Sequence, residues 1–205
     1  KLSSINILDK DTNITHVYDF LEDITLFKER ERKLQIDHLT SLIKDREEAD
    51  RQMAEYIDYA LENHEEFSLV VADVDYFKNI NDTYGHDCGD YILQKIGPLL
   101  LKMTKQSDDP YDYKKNDIVT RFGGDEFVII ITEKTDVLPN LIANFDQTSA
   151  KWRGELVDSM SVSYGYVFSS EKEWNGIYDI AKAADARMYK SKSCYYLKSG
   201  IDRRR

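Results

Sequence analysis

Four short hydrophobic runs mark the predicted strands of this chain. Phe67–Val74 is almost continuously apolar, which is typical of a central strand buried on both faces. Ile118–Phe122 and Phe127–Ile131 are rich in β-branched and aromatic residues and lie on either side of Gly123-Gly124, so this pattern predicts a hairpin. We expect the two glycines to adopt positive φ values in the turn, which carry no steric penalty for glycine. Met160–Phe168 predicts one more strand.

Helical spacing of apolar residues fills the segments between these strands. It predicts helices at about 46–64, 87–103, 137–152 and 176–191. Gly97-Pro98 falls inside the second of them and predicts a kink or an early end. The resulting order is αβαββαβα, which favours an α+β fold with a central, mostly antiparallel sheet flanked by helices.

The N-terminal segment shows a different pattern. Residues 1–19 have weak periodicity, which indicates extended or irregular backbone. An a/d seam of about two heptads follows, formed by Phe20, Ile24, Phe27, Glu31 and Leu34. Two heptads are too few for a stable coiled coil on their own. The seam therefore predicts either an amphipathic helix packed on its own domain or a signalling helix that pairs with its copy in a dimer.

Composition and charge restrict the class of protein. Hydrophobic residues make up 41% and charged residues 32% of the 205 positions, which is typical of a soluble globular chain. The net charge of −10 argues against binding to a nucleic-acid polymer, although a nucleotide could still bind through Mg²⁺. The sequence has no apolar run of about 18 residues and no signal peptide, and its two cysteines lie far apart. We therefore expect a cytoplasmic protein without direct membrane contact.

Acidic residues stand where the predicted strands end. The first strand ends in Asp73-Val74-Asp75, and the hairpin turn carries Asp125 and Glu126. Burying carboxylates at the end of a strand costs free energy unless a cation compensates their charge. If the hairpin pairs with the first strand, Glu126 lies beside Asp73, and two carboxylates with a backbone carbonyl suit Mg²⁺. The alternative is a solvated acidic turn.

The segment after the first strand carries candidate nucleotide contacts. Lys78 lies close to the acidic strand end and could contact phosphate. Asn81 and Asp90 offer an amide and a carboxylate, which can accept hydrogen bonds from the N1–H and amino groups of guanine. Taken singly, each of these residues is more often a turn or cap residue. For His86 and Cys88 we expect structural roles.

Five motifs in order give the chain a recognisable pattern. They are DHLTSLIKDR (37–46), DVDYFKNINDTYGHDCGD (73–90), RFGGDEF (121–127), SVSYG (161–165) and ADARMYKSK (184–192). Together they closely resemble the GGDEF family of diguanylate cyclases, from about Ile36 to Lys192. The resemblance implies condensation of two GTP into cyclic di-GMP and pyrophosphate by a homodimer, on a fold similar to the palm of nucleotide cyclases and polymerases.

The resemblance also implies roles at the acidic strand end. By position, Asp73 and Glu126 match the family's metal ligands, together with the carbonyl of Val74. Asp125 matches the acid of the turn, with a role near a second metal ion and the 3′-OH. The catalytic set is then Asp73, Asp125 and Glu126, and the implied cofactor is Mg²⁺ or Mn²⁺.

Substrate contacts are carried over in the same way. Phe77 and Lys78 match residues that contact phosphates, and Asn81 and Asp90 match residues that read guanine. Lys192 matches a lysine that contacts the terminal phosphates. The carboxylate of Asp90 suits guanine and argues against a cyclase that also takes ATP.

Two departures from the family pattern affect these expectations. Tyr196 stands where the family has an arginine that reaches phosphate, so one phosphate contact is lost or is supplied by Lys198. The inhibitory product site of the family is Arg-x-x-Asp, and here the matching residues are Lys114 and Asp117. Lysine cannot make the bidentate contact of arginine, so this site is expected to be degenerate and product inhibition weak or absent.

The N-terminal segment resembles the link between a sensory domain and a GGDEF domain. Tyr18–Thr25 is similar to the exit strand of a PAS domain running into a helix. We therefore expect residues 1–35 to be the tail of an upstream sensor with a signalling helix through which the chain dimerises, and residues 36–205 to be the GGDEF domain. The alternative is an unrelated N-terminal helix.

Two functions remain open at this point. The first is an active diguanylate cyclase. The second is a non-catalytic regulatory domain that binds GTP or cyclic di-GMP, which Tyr196 favours. A purely structural dimerisation module would leave the acids at the strand ends unexplained.

Overall fold

The computed structural model divides the chain into two compact units, residues 1–35 and 36–205. The residues that it describes are 2–8, 15–21, 36–42, 46–105, 116–132, 137–154, 157 and 160–199. In the first unit, β1 (Leu2–Leu8) and β2 (Thr15–Leu21) form an antiparallel pair in which Leu2 lies opposite Leu21.

This hairpin changes one expectation for the N-terminal segment. Phe20 lies in β2, so the helix that was predicted to start there does not include it. The rest of the predicted seam, from Ile24 to Leu34, lies outside the described residues. The signalling helix and the PAS-like exit strand therefore stay predictions.

The second unit is built on a four-stranded sheet with the order β4-β5-β3-β6. Its strands are β3 (Ser68–Val74), β4 (Ile118–Arg121), β5 (Glu126–Ile131) and β6 (Val162–Phe168). Every neighbouring pair is antiparallel. β3 lies between β5 and β6, and side chains on both of its faces are buried. This burial explains its nearly continuous apolar sequence. The predicted α+β class with an antiparallel sheet is confirmed.

Helices cover both faces of this sheet. They are α1 (Arg46–Glu62), α2 (Phe77–Tyr84), α3 (His86–Met103), α4 (Leu138–Lys151) and α5 (Ile177–Ser199), with a short 3₁₀ turn at Ser169–Glu171. Residues of α3 and α4 share one hydrophobic core with Val70, Ala72 and Phe127. Residues of α1 and α5 share a second core with Leu69 and Val128 on the opposite face. In the part of the chain that is described, no helix combines the length and apolar content that crossing a membrane requires.

Three helices differ from their predictions. Helix α2 was not predicted, because it has only eight residues and its short apolar stripe of Phe77 and Ile80 is only half-buried. Helix α3 does not end early at Gly97-Pro98 but continues to Met103. Gly97 is instead a point of close approach, since a Cβ there would lie 2.2 Å from the carbonyl oxygen of Thr40. Helix α5 runs to Ser199 rather than ending near residue 191.

Asp37 anchors the start of the second unit to the β4–β5 hairpin. Its carboxylate accepts hydrogen bonds from Thr40 N at 2.8 Å and Thr40 Oγ1 at 2.9 Å, and it pairs with Arg121 Nη1 at 3.1 Å. Arg121 also donates to the carbonyl oxygen of Gly124 at 2.8 Å. Burial alone would raise the pKa of Asp37, but the hydrogen bonds of Thr40 and the charge of Arg121 lower it overall. One ionised side chain thus connects residues 36–42 to the hairpin turn.

The first prediction concerns the pH dependence of this anchor. Because the pKa of Asp37 is lower in the folded chain than its ordinary 3.8, its stabilising effect is present above that value and is lost as pH falls through the folded pKa. Asp37→Asn should reduce the free energy of unfolding by about 2 kcal/mol at pH 7. In urea unfolding at a series of pH values, the difference from wild type should stay constant between pH 7 and 5 and shrink below about pH 4. A difference that persists unchanged to pH 3 would mean that the charge of Asp37 contributes nothing.

The second prediction concerns the contact between β6 and α5. A Cβ at Gly165 would lie 2.1 Å from the backbone nitrogen of Met188 and 2.2 Å from the carbonyl oxygen of Ala184. Gly165→Ala should therefore push the helix off the sheet and lower the free energy of unfolding by about 3 kcal/mol. Gly124→Ala is the matched control, because a Cβ there meets nothing within 4 Å. Equal urea midpoints for the two variants would contradict this packing.

Candidate active site

The site begins with two carboxylates on adjacent strands. Asp73 near the end of β3 lies directly opposite Glu126 at the start of β5. Asp73 is 6% exposed, whereas Glu126 is exposed. Residues directly opposite each other in an antiparallel pair have Cβ atoms about 5 Å apart, and like charges in such a pair destabilise the sheet. The arrangement therefore requires a compensating cation.

Lys192 on α5 supplies one positive charge. Its Nζ forms an ion pair with Asp73 Oδ1, and both side chains are largely removed from solvent. Burial would lower the pKa of Lys192, but its hydrogen bond to Asp73 and the charge of that carboxylate raise the pKa overall. Lys192 is thus a protonated partner of the carboxylate that the sequence identifies as a metal ligand.

Asp125 adds a third carboxylate to this end of the sheet. Its carbonyl oxygen accepts a hydrogen bond from Val74 N at 3.1 Å, which joins the hairpin turn to the end of β3. Burial and the negative charge of Asp73 raise the pKa of the Asp125 carboxyl, although Lys192 opposes this effect. Three carboxylates with one ammonium leave negative charge that a divalent cation could neutralise.

A cation at this position would need ligands beyond the side chains. Within the described ranges, no three His, Cys, Asp or Glu side chains converge as a metal-ligand set. Asp73 and Glu126 would therefore bind Mg²⁺ or Mn²⁺ only together with oxygen atoms from the backbone, water or phosphate. Mg²⁺ ordinarily accepts such a mixed oxygen shell with one or two carboxylates. The donor set fits a nucleotide-bound ion.

Asp75 serves a different purpose from Asp73. It is 3% exposed, and its two carboxylate oxygens accept hydrogen bonds from Ser161 Oγ and Ser163 Oγ, each at 2.7 Å. Burial raises its pKa, while the two serine hydroxyls partly offset that rise. Asp75 therefore fixes β6 to the end of β3. The sequence motif around Ser163 gave no indication of this bond, because the partners are 88 residues apart.

The hairpin glycines do not have the backbone conformation that was predicted for them. Neither Gly123 nor Gly124 has a positive φ, so that expectation is wrong. The turn is closed by Phe122 N, which donates to the carbonyl oxygen of Glu126 at 2.8 Å. A Cβ at Gly123 would lie 3.0 Å from Glu126 Oε2, and one at Gly124 would point into open space. The glycines leave room beside Glu126 instead of supplying an unusual backbone conformation.

A buried polar atom lies where α2 packs on α3. Asn81 Oδ1 is buried and has no hydrogen-bond partner among the described residues. A Cβ at Gly89 would lie 2.0 Å from this atom and 3.1 Å from Phe77 Cζ, so Gly89 leaves the space that the Asn81 side chain occupies. Asp90 follows Gly89 and is exposed, as is Lys78. The sequence analysis missed Gly89, although a glycine inside a helical stretch is a known sign of close packing.

The structure assigns Asp117 to the scaffold. The residue is 5% exposed, and its carboxylate accepts hydrogen bonds from Lys105 N and Thr132 N, both at 2.7 Å, and from Thr132 Oγ1 at 3.0 Å. Asp117 thus joins the segment after α3 to the end of β5. Lys114, the other residue of the degenerate inhibitory site, lies outside the described residues.

The site matches a known family. A family model described as "Diguanylate cyclase, GGDEF domain" matches residues 34–194. Diguanylate cyclase A of Treponema denticola is 28% identical over 135 residues, which are 64% of this chain and 34% of that protein. The probable diguanylate cyclase DgcI of Escherichia coli is 39% identical over 124 residues, which are 60% of this chain and 25% of that protein.

Solved structures agree with this match. The GGDEF domain of DgcB from Caulobacter crescentus, in complex with c-di-GMP, superimposes with a TM-score of 0.65 at 25% identity and covers 78% of this chain and 91% of that one. The chain spans between a quarter and a half of the length of the curated relatives first matched. The family model covers most of the chain, and the chain therefore belongs to the GGDEF family of diguanylate cyclase domains.

Proposed function

We propose that this chain is a metal-dependent diguanylate cyclase, which joins two GTP molecules into cyclic di-GMP and releases two pyrophosphates. The observation that carries the proposal is the cross-strand pair of Asp73 and Glu126, with Asp125 in the adjoining turn. Membership of the GGDEF family supports the same reaction. A structural module would have no use for three carboxylates at one end of a sheet.

Asp73 and Glu126, with the Val74 carbonyl, would hold Mg²⁺ or Mn²⁺. When bound, the ion polarises the α-phosphate and lowers the pKa of the attacking 3′-OH. Lys192 has its ammonium at Asp73 and can compensate charge on the terminal phosphates beside it. The raised pKa of Asp125 suits a group that accepts a proton near the 3′-OH. Most of the rate enhancement then comes from positioning and charge compensation.

Asn81 of α2 and Asp90 of α3 would select the base. Asn81 Oδ1 is a buried acceptor without a partner, and the N1–H and amino groups of guanine are donors of the matching kind. Asp90 would accept the second hydrogen bond from the same edge, while Phe77 and Lys78 at the start of α2 would contact the phosphates. An unpaired buried acceptor is costly, so its presence supports a ligand with donors at that place.

Asn81 and Asp90 of one chain would bind one guanine, whereas the product contains two guanylates. We therefore propose that two copies act as a homodimer with facing sites, brought together by the predicted signalling helix. The second candidate function is a non-catalytic domain that binds GTP or cyclic di-GMP. Tyr196, which replaces a phosphate-binding arginine of the family, is the observation that favours it.

One experiment separates these functions. The purified chain at high concentration is incubated with GTP and Mg²⁺, and the nucleotides are separated by chromatography. Cyclic di-GMP establishes the cyclase. Unchanged GTP leads to a repeat with the chain fused to a dimerising coiled coil, and a second negative result with retained GTP binding supports the binding-only function.

Removing one charge from the carboxylate pair gives the third prediction. Glu126→Gln keeps the shape of the side chain but removes a metal ligand, so kcat should fall by at least about 100-fold. Glu62→Gln, at the exposed end of α1, is the matched control and should keep the wild-type rate. Rates of pyrophosphate release from GTP measure both. An active Glu126→Gln variant would rule out the proposed metal site.

The fourth prediction concerns base selection. Asn81→Ala should raise the KM for GTP about tenfold, because guanine loses an acceptor. Inosine triphosphate lacks the amino group of guanine, so the wild type should prefer GTP and the variant should show a smaller preference. Gly89→Ala should have the same effect, since its Cβ displaces Asn81 Oδ1. Undiminished preference for GTP in both variants would show that Asn81 does not read the base.

A further inference from the structure

The last turns of α5 place three side chains on one face. Lys192, Tyr195 and Tyr196 have the spacing i, i+3 and i+4, and all three contact the end of β3 or the residues just after it. Lys192 pairs with Asp73. The rings of Tyr195 and Tyr196 pack against Tyr76, with centroid distances of 5.6 Å and 4.8 Å. We call Tyr76, Tyr195 and Tyr196 the tyrosine clamp.

Tyr76 has a backbone conformation that needs support. Its φ of 61° and ψ of 15° lie in the left-handed region, which is unfavourable for a residue with a Cβ. It also precedes the first residue of α2, and no side chain caps that helix end. Such a conformation persists only where the surroundings hold it.

Three different elements hold the backbone of this turn. Val74 N donates to the carbonyl oxygen of Asp125 in the hairpin turn at 3.1 Å, and Asp75 N donates to the carbonyl oxygen of Ser161 at 2.9 Å. The ring of Tyr196 packs edge-on against the ring of Tyr76, with a centroid distance of 4.8 Å. Through Tyr196, α5 therefore contacts the turn that connects Asp73 with the start of α2.

Tyr195 strengthens the same arrangement. Its ring also packs against Tyr76, with a centroid distance of 5.6 Å. The rings of Tyr195 and Tyr196 lie 6.1 Å apart at an interplanar angle of 79°. Aromatic pairs in such edge-to-face geometry attract each other beyond their area of contact. The clamp is thus held to the turn by ring packing.

We propose that Tyr196 is a positioning residue, which acts through Tyr76 to set the orientation of the turn between β3 and α2. The proposal rests on the proposed function, because that turn lies between Asp73 and the phosphate contacts Phe77 and Lys78. Tyr196 brings no charge to the phosphates. It instead fixes the backbone on which the reacting groups are aligned, and small displacements there reduce the rate of phosphoryl transfer.

The competing explanation is that Tyr196 merely leaves a phosphate contact vacant. In that case the ring of Tyr196 would be dispensable, and Tyr196→Arg would raise kcat/KM for GTP by adding a positive charge. The positioning role instead requires the ring, which packs against Tyr76, so arginine should impair the site and phenylalanine should be tolerated.

The test compares Tyr196→Phe and Tyr196→Arg with the wild type, using Tyr178→Phe as the control. Tyr178 is 79% exposed on the same helix and lies outside the clamp. Amide hydrogen exchange at Tyr76, followed by NMR, should accelerate about tenfold in Tyr196→Arg and stay unchanged in Tyr196→Phe and in the control. The kcat should fall about tenfold in Tyr196→Arg with a smaller change in KM and stay near the wild-type value in Tyr196→Phe, at an unchanged melting temperature.

The outcomes separate the two proposals. Wild-type exchange at Tyr76 in Tyr196→Arg, or a higher kcat/KM in that variant, overturns the positioning role. If the chain makes no cyclic di-GMP at all, the cyclase proposal fails, and the exchange at Tyr76 still decides whether Tyr196 holds the turn.

Discussion

The site depends on the antiparallel pairing that sets Asp73 against Glu126. Two carboxylates in that relation repel each other, so the sheet end is favourable only with a cation close by. Lys192 provides one charge from α5, and in the proposed function a metal-bound nucleotide provides the second. The central position of β3 between β5 and β6 makes this possible, because hairpin, strand end and last helix meet at the same edge.

The surrounding network keeps that repulsion from distorting the fold. Val74 N and Asp75 N donate hydrogen bonds to the hairpin turn and to the residue just before β6, and tyrosine rings of α5 pack against Tyr76. On the other side of the hairpin, Arg121 joins the carbonyl of Gly124 to Asp37 at the start of the unit. The carboxylates are therefore fixed by backbone contacts on several sides. Such pre-organisation is what in-line transfer between two bound nucleotides requires.

The sequence predicted the elements whose buried side chains form a regular apolar pattern. The four strands of the sheet were predicted because their apolar runs are long and bounded by turns, and the pairing of Asp73 with Glu126 followed once the hairpin was placed beside β3. Helix α2 was missed because it has only eight residues and its apolar face is short and half-buried. The bonds of Lys192 to Asp73 and of Ser163 to Asp75 span 119 and 88 residues, so no local pattern could reveal them. Tyr196 was recognised as a departure, but its contact with Tyr76 requires the extra length of α5.

The central claim is that Asp73 and Glu126 bind the ion that carries the nucleotide. The most direct measurement is hyperfine spectroscopy of Mn²⁺ bound with a non-hydrolysable GTP analogue to protein labelled with ¹³C at its aspartate and glutamate carboxyl groups. The account predicts a ¹³C coupling of the size expected for a directly coordinated carboxylate, together with ³¹P couplings from the phosphates. Phosphorus couplings without any carbon coupling would show that the nucleotide holds its ion without the carboxylates, and the account would be wrong.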